Sequence, residues 1–176
     1  MTKIRTLLAG ESGYSLLELL QVTAILGVVL TGLTTVFVRA MNSELDMNQR
    51  FQAQQQARLA VDRMRREIHC ASGITPTGTS GAITVTLPAQ CPSAGGTVTT
   101  VIYDTSLVSS GRYQLRRAGV RVADYITSPN VFTYTAPDVA KHGALRVEVP
   151  VNTRPSQRGE TWRLVGDIAL RNTPRL

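Results

Sequence analysis

Residues 13–20 read GYSLLELL, and this stretch decides how the rest of the chain is arranged. Gly13 is followed by an aromatic residue, Tyr14, and an acid, Glu18, stands four residues later. From residue 19 to residue 38 there is no charged side chain. A helix of about twenty such residues can cross the roughly 30 Å hydrocarbon core of a bilayer. The sequence therefore predicts a membrane-spanning helix over residues 14–38.

Glu18 lies at the leading edge of this span, where an unpaired ionised acid costs roughly 2–3 kcal/mol or more. A cut between Gly13 and Tyr14 would give Tyr14 a charged terminal amine, with Glu18 on the same helix face. Glu18 could then pair with its own amine or, as an assembly device, with that of a neighbouring copy. An acid near a helix N-terminus also stabilises an ordinary membrane anchor by about 0.3–1 kcal/mol. Composition leaves both roles open.

An ordinary secretory signal is the competing interpretation of this region. Lys3 and Arg5 would supply its basic end, and residues 38–40 its cleavage site. However, the uncharged stretch is longer than the 7–15 apolar residues typical of such signals. Gly13 and Glu18 would also have no purpose in a secretory signal. The basic residues slightly favour an N-terminus that stays inside.

The stretch GYSLLELL resembles the processing site of type IV pilins and type II secretion pseudopilins. In that family a prepilin peptidase cuts after the glycine and N-methylates the exposed aromatic residue, and the acid guides assembly. The resemblance implies a leader at residues 1–13, processing at Gly13 and Tyr14, and an assembly role for Glu18. Tyr14 stands where the family more often has phenylalanine.

The helical pattern continues beyond the span, because residues 39–70 contain neither glycine nor proline. An apolar stripe recurs there at three- and four-residue spacing, which is typical of an amphipathic helix. Its members are Ala57, Ala60, Val61, Met64 and Ile68. The sequence predicts that this stripe packs on a folded domain. Irregular heptads argue against a coiled coil.

The apolar period changes to two in residues 71–176, which predicts an antiparallel β domain. Strands are expected at residues 83–87, 98–103, 113–117, 120–122, 131–135, 145–151 and 162–170. Loops are expected at residues 76–81, 88–96, 104–111, 136–143 and 152–159. The pair Ala118-Gly119 predicts a tight hairpin turn. The expected fold class is α+β, with a long N-terminal helix packed on a C-terminal antiparallel β domain.

Two cysteines, Cys70 and Cys91, predict a disulfide if the domain is exported to an oxidising compartment. Closing a loop of about twenty residues would stabilise the domain by about 3 kcal/mol. A metal site that also uses His69 is the alternative, but it lacks the paired spacing of a zinc site. No metal or other cofactor is expected.

The net charge of +7 predicts a solvated basic surface or contact with an anionic partner such as lipid headgroups, cell-wall polymer or DNA. Arg112, Arg116, Arg117 and Arg121 form the densest cluster of basic residues, around one expected hairpin. Few aromatic residues lie among them, so the cluster does not indicate stacking on nucleic-acid bases.

The sequence contains no recognisable catalytic constellation, so we expect a protein that is not an enzyme. Neither histidine has a motif around it, and no serine elbow or phosphate-binding glycine loop occurs. Four acids in or beside turns and strands are expected to be solvated or to bond local backbone. They are Asp104, Asp124, Asp138 and Asp167.

Three further stretches resemble J-type minor pseudopilins and related minor pilins, namely residues 57–68, 113–117 and 169–172. Together the resemblances imply a minor pilin or pseudopilin near the tip of a filament, where it primes assembly. Such a subunit sits in the bacterial inner membrane by a single span with its N-terminus inside. It then joins other pilin subunits in an extracytoplasmic filament. The alternative hypothesis is a single-pass anchor that presents its β domain to DNA, surface polymer or secreted cargo.

The processing motif makes a direct prediction for Gly13→Val. A branched side chain at the cleavage position should block the peptidase, so the variant should keep its leader. Immunoblotting of membranes should show one band that migrates more slowly than the wild-type band. Maturation of the variant to the wild-type size would show that the cleavage site is misassigned.

Overall fold

The computed structural model describes residues 15–109, 111–154 and 161–172. In these residues the chain forms one long helix, α1 (Leu16–Cys70), and nine β-strands. By its contacts the chain divides after Leu45 into two compact units. The described fold is α+β, as the sequence predicts.

The first unit spans residues 1–45, and its described part is almost entirely the beginning of α1, from Leu16 to Leu45. The helix is unbroken through Gly27 and Gly32, although glycine is a poor residue for a helix interior. The Thr31 hydroxyl donates to the Gly27 carbonyl at 2.8 Å, and the Thr35 hydroxyl donates to the Gly32 carbonyl at 2.7 Å. These bonds satisfy the threonine hydroxyls within the helix itself.

The second unit contains the rest of α1, whose apolar stripe packs against the sheet. The predicted stripe is confirmed, because Ala57, Ala60, Val61, Met64 and Ile68 are each no more than 4% exposed. Close approach of helix and sheet also explains one glycine. A Cβ atom added to Gly166 would lie 3.3 Å from Cγ1 of Val61, so a larger residue would require Val61 to shift by a few tenths of an ångström.

The nine strands are short to medium in length and follow α1 in the second unit. They are β1 (Gly73–Thr75), β2 (Gly78–Ser80), β3 (Ala82–Leu87), β4 (Thr99–Ser109), β5 (Arg112–Arg117), β6 (Val120–Ile126), β7 (Phe132–Thr135), β8 (Ala144–Val151) and β9 (Trp162–Ala169). A single 3₁₀ turn, Pro92–Ala94, lies between β3 and β4 in the described chain.

All described strand pairs are antiparallel and belong to one sheet, in the order β1-β3-β4-β5-β6-β8-β7-β2. Strand β8 joins the two halves of this order. One of its sides pairs with β9 along the whole strand, from Ala144↔Ala169 to Val151↔Trp162. Its other side pairs first with β7 and then, at Val151↔Ile126, with β6.

Two predicted loops are wrong in part. The loop expected at residues 104–111 is mostly strand, because β4 continues to Ser109 and pairs with β5 over this length. The loop expected at residues 76–81 contains β2, which pairs with β7. Both errors have the same cause. A polar segment forms a strand when another strand supplies its backbone hydrogen bonds, whether that strand is next along the chain, as β5 is for β4, or far along it, as β7 is for β2.

The predicted hairpin turn between β5 and β6 is confirmed. Ala118 and Gly119 both have a positive φ, of 47° and 78°. This is the backbone of a two-residue turn whose twist matches that of the flanking strands.

The predicted disulfide between Cys70 and Cys91 is present, with a Cα–Cα distance of 5.8 Å. Cys70 is the last residue of α1, and Cys91 lies in the loop after β3. The bond therefore fastens the end of the helix to the sheet.

Reduction of this disulfide should destabilise the domain by about 3 kcal/mol, because the unfolded chain gains loop entropy. Thermal denaturation of the full chain in detergent, followed by circular dichroism, should show a fall of about 10 °C on adding reductant. The matched control is the double variant Cys70→Ser/Cys91→Ser, whose melting temperature should not respond to reductant. If thiol titration of the protein, denatured without reductant, detects two free thiols, the disulfide is contradicted.

Candidate functional site

The first candidate site is the uncovered apolar surface of α1 over residues 16–38. Every large apolar side chain in this range is at least 50% exposed. Its most apolar 18-residue window has a mean hydropathy of 2.0 and none of it is buried. By length and composition α1 can therefore span a membrane, which is consistent with a single-pass anchor.

Glu18 lies in the first turn of α1, where its backbone N–H donates to the Ser15 carbonyl at 2.9 Å. Its side chain is exposed among leucines. No hydrogen bond or ion pair of this carboxylate occurs within the described part of the chain. Gly13 and Tyr14 lie outside the described residues, so the cleavage and methylation site stays a prediction.

The second candidate site is a charged cluster in the interface between α1 and the sheet. Glu67 belongs to the buried face of the helix and is only 3% exposed. The Tyr103 hydroxyl donates to Oε2 of Glu67 at 2.6 Å. The guanidinium of Arg117 contacts Oε1 at 2.8 Å through Nη2 and at 3.0 Å through Nε. A second arginine, Arg63, lies 3.6 Å from Oε1 along the same helix.

The sheet register brings this cluster together. Tyr103 on β4 and Arg117 on β5 are directly paired residues, so both side chains leave the same face of the sheet. That face is the one that packs on α1, and Tyr103 is 1% exposed. The helix and two neighbouring strands are thus linked through one carboxylate.

The carboxylate of Glu67 stays ionised despite its burial. Burial by itself would raise the pKa of Glu67. The hydrogen bonds from Arg117 and Tyr103, with the charges of Arg117 and Arg63, outweigh burial and hold this pKa below its ordinary value. Burial and the hydrogen bond to Glu67 raise the pKa of Tyr103, so its hydroxyl remains a donor.

The sequence analysis did not single out Glu67, although the sequence contains a signal for it. The spacing Ala60, Met64, Glu67, Ala71 follows the same three- and four-residue period as the apolar stripe. An acid on a buried helix face needs a cationic or hydrogen-bonding partner. That partner comes from β4 and β5, and their register cannot be read from the helix sequence.

The expectation that these acids are solvated or bond local backbone is wrong for Asp104, which pairs with an arginine. For Asp124 it is confirmed only in part, because Asp124 accepts the Tyr125 backbone N–H at 2.6 Å but is also buried against arginines. Asp124 is 5% exposed and accepts two hydrogen bonds from Arg112, at 3.0 and 2.8 Å. Arg121 contacts the same carboxylate at 3.3 Å, and Asp104 pairs with Arg116 across β4 and β5. The antiparallel register places Asp104 opposite Arg116, whereas Asp124 lies where the register between β5 and β6 is irregular.

This pairing also corrects the interpretation of the arginine cluster as an open basic surface. Arg112 and Arg121 pair with Asp124, Arg116 pairs with Asp104, and Arg117 pairs with Glu67. Burial would raise the pKa of Asp124, but the hydrogen bonds from Arg112 and from the Tyr125 backbone keep it below its ordinary value. All four arginines therefore pair with carboxylates of the same chain, although the Arg121 side chain remains exposed.

The other two acids are exposed. Asp138 accepts backbone hydrogen bonds from Ala140 and Lys141 at 2.7 and 2.8 Å, so the expectation of local bonding is confirmed there. Asp167 on β9 lies 3.5 Å from Arg146 on β8 as a surface pair, which contributes little to stability.

The alternative metal site does not form in the described structure. Both cysteine sulfurs belong to the disulfide, and Nδ1 of His69 lies 2.9 Å from the Ala169 carbonyl oxygen. Within residues 15–109, 111–154 and 161–172, no three histidine, cysteine or acidic side chains come together as a metal site would need.

Comparisons with protein-family models, with curated proteins and with solved structures give no significant match. A functional proposal therefore depends on the processing motif and on the geometry of this chain alone.

Glu67→Gln should destabilise the domain by about 3 kcal/mol near neutral pH, because the Arg117 charge is left without its partner. The matched control is Glu148→Gln, which removes an exposed partner of Arg163 and should cost well under 1 kcal/mol. Chemical denaturation of the full chain in detergent measures both values.

The effect of Glu67→Gln should depend on pH with a defined sign. Because the folded state lowers the pKa of Glu67, its ion pair stabilises the fold fully above the ordinary value of 4.5. As the pH falls below 4.5 towards the lower folded pKa, the wild type should lose this stability and approach the variant. A difference between the two proteins that stays constant across this range would contradict the assignment.

Proposed function

We propose that this chain is a membrane-inserted structural subunit of an extracytoplasmic filament, a minor pilin or pseudopilin. The observation that carries the proposal is the contrast between the two parts of α1. Residues 16–38 expose their apolar side chains all round the helix, whereas the helix stripe from Ala53 to Ile68 is covered by the sheet. A helix that is apolar all round needs a membrane or neighbouring helices to cover it.

The processing motif supports the same proposal. The motif GYSLLELL ends inside the first turns of this uncovered helix. A peptidase that cuts after Gly13 would leave Tyr14 and its amine immediately before α1. We propose that the prepilin peptidase makes this cut in the bacterial inner membrane, with the N-terminus inside, and that Tyr14 is then methylated.

Glu18 is the proposed assembly residue. It is the one acid between residues 14 and 38, and its exposed carboxylate is surrounded by leucines. Transfer of such a group into an apolar environment is unfavourable unless a cation accompanies it. The terminal amine of a neighbouring subunit would supply that cation, so helices would associate in one register. A position near the filament tip is part of the proposal and rests on the resemblance alone.

The proposal gives the chain a structural role and no enzymatic one. The buried carboxylates Glu67 and Asp124 are neutralised by arginines and hold elements of the fold together. A single-pass anchor that presents its β domain to a ligand is the competing function, and it predicts no assembly role for Glu18.

Glu18→Ala should leave membrane insertion and cleavage intact, because it removes a charge from an apolar span. It should sharply reduce the amount of the protein in filaments sheared from cells, because the pairing with a neighbouring amine is lost. Glu44→Ala, the same change on an exposed helix position beyond the span, should enter filaments normally. Quantitative immunoblotting of filament and membrane fractions measures both. Normal incorporation of Glu18→Ala would remove the proposed assembly role and favour the anchor.

A further inference from the structure

An open cleft of about 470 Å³ lies at the end of α1 in the second unit. Side chains from the helix, from the loop after β3 and from the turn after β9 meet there. Its lining consists of Arg66, His69, Cys70, Gln90, Arg171 and Asn172. No acidic residue is among these described lining residues, so the cleft carries only positive charge and polar groups.

Arg66 and Arg171 differ from the other arginines of this unit. Neither takes part in an ion pair or ring contact in the described structure. From Arg50 onward, every other described arginine pairs with a carboxylate, except Arg58, whose guanidinium lies 5.5 Å from the centre of the Trp162 ring. The two uncompensated guanidinium groups come from positions 105 residues apart and line the same cleft.

The walls of the cleft are tied together by covalent and hydrogen bonds. The disulfide joins Cys70 to Cys91, next to Gln90. The Asn172 side-chain amide donates to the Cys70 carbonyl at 3.3 Å, and Nδ1 of His69 bonds the Ala169 carbonyl at 2.9 Å. A site whose parts are held before binding loses less entropy when a ligand arrives.

We propose that this cleft binds a phosphate-bearing anion between Arg66 and Arg171. Guanidinium groups match the oxygens of a phosphate with parallel charge-assisted hydrogen bonds. The amide of Gln90 supplies a further neutral donor at the rim. The proposal goes beyond the filament assignment and does not depend on it, because every group involved lies in the second unit.

The length of helix before the cleft favours a phosphate in solution over a headgroup of the membrane that the chain is proposed to enter. The cleft lies 24 residues along α1 from Asp46, the first residue of the second unit, or about 36 Å at 1.5 Å per residue. The cleft also has no phenylalanine, tyrosine or tryptophan among its described lining residues, so it lacks the large rings on which bases usually stack. The recognised group is therefore the phosphate itself, free or as part of a polymer backbone.

Calorimetric titration of the full chain in maltoside micelles with pyrophosphate tests this proposal. The wild type should show saturable one-to-one binding that weakens with salt. Arg66→Gln and Arg171→Gln should each weaken binding about tenfold, because each removes charge-assisted hydrogen bonds. Both side chains are exposed, so the melting temperatures should not change. The matched control is Lys141→Gln, which removes one exposed positive charge outside the cleft and should leave the affinity nearly unchanged.

A second titration with a short single-stranded oligonucleotide identifies the source of the phosphate. Binding that competes with pyrophosphate and weakens in both arginine variants would assign the cleft to a polymer backbone. Pyrophosphate binding without oligonucleotide binding would assign it to free phosphate. Absence of saturable pyrophosphate binding, or an equal loss in Lys141→Gln, would overturn the proposal. Such a result would leave the filament assignment untouched, because Glu18 is not involved.

Discussion

The structure depends on one constraint, which is that apolar side chains of α1 need cover from water. The two parts of the helix meet this constraint differently. From Ala53 to Ile68 the sheet of the same chain covers one stripe of the helix. From residue 16 to residue 38 the described part of the chain supplies no cover, and the apolar side chains are exposed on every face. The proposed function follows from that difference, because a membrane and then neighbouring helices would provide the missing cover.

The covered part of the helix is held by a specific polar contact as well as by apolar packing. Small residues such as Ala57 and Ala60 allow close approach but would also tolerate sliding of the helix along the sheet. Glu67 fixes the position, because its carboxylate meets Tyr103 and Arg117 on two paired strands. The disulfide then secures the end of the helix. Replacement of a whole buried ion pair by apolar residues is often neutral for stability, whereas loss of one partner is costly because it leaves the other charge buried and unpaired.

The sequence predicts the elements whose pattern is local. The apolar stripe of α1, the turn at Ala118-Gly119 and the alternation in β8 and β9 follow from periods of 3.6 and 2, and the structure confirms them. Cysteine spacing and compartment predict the disulfide. Contacts that depend on how the strands pair cannot be predicted from the local sequence pattern. Arg116 and Arg117 look like a surface pair in sequence, yet they reach Asp104 and Glu67 on opposite faces of β5. The extension of β4 to Ser109 is missed for the same reason.

The intact mass of the protein extracted from bacterial membranes tests the proposed filament role most directly. Processing at Gly13 predicts the mass of residues 14–176 with one added methyl group on the new terminal amine and with two hydrogens lost to the disulfide. A single mass spectrum therefore reports cleavage of the leader, methylation of the new terminal amine and formation of the disulfide. A mass equal to the full, uncut chain would contradict the filament-subunit assignment and leave an ordinary membrane anchor.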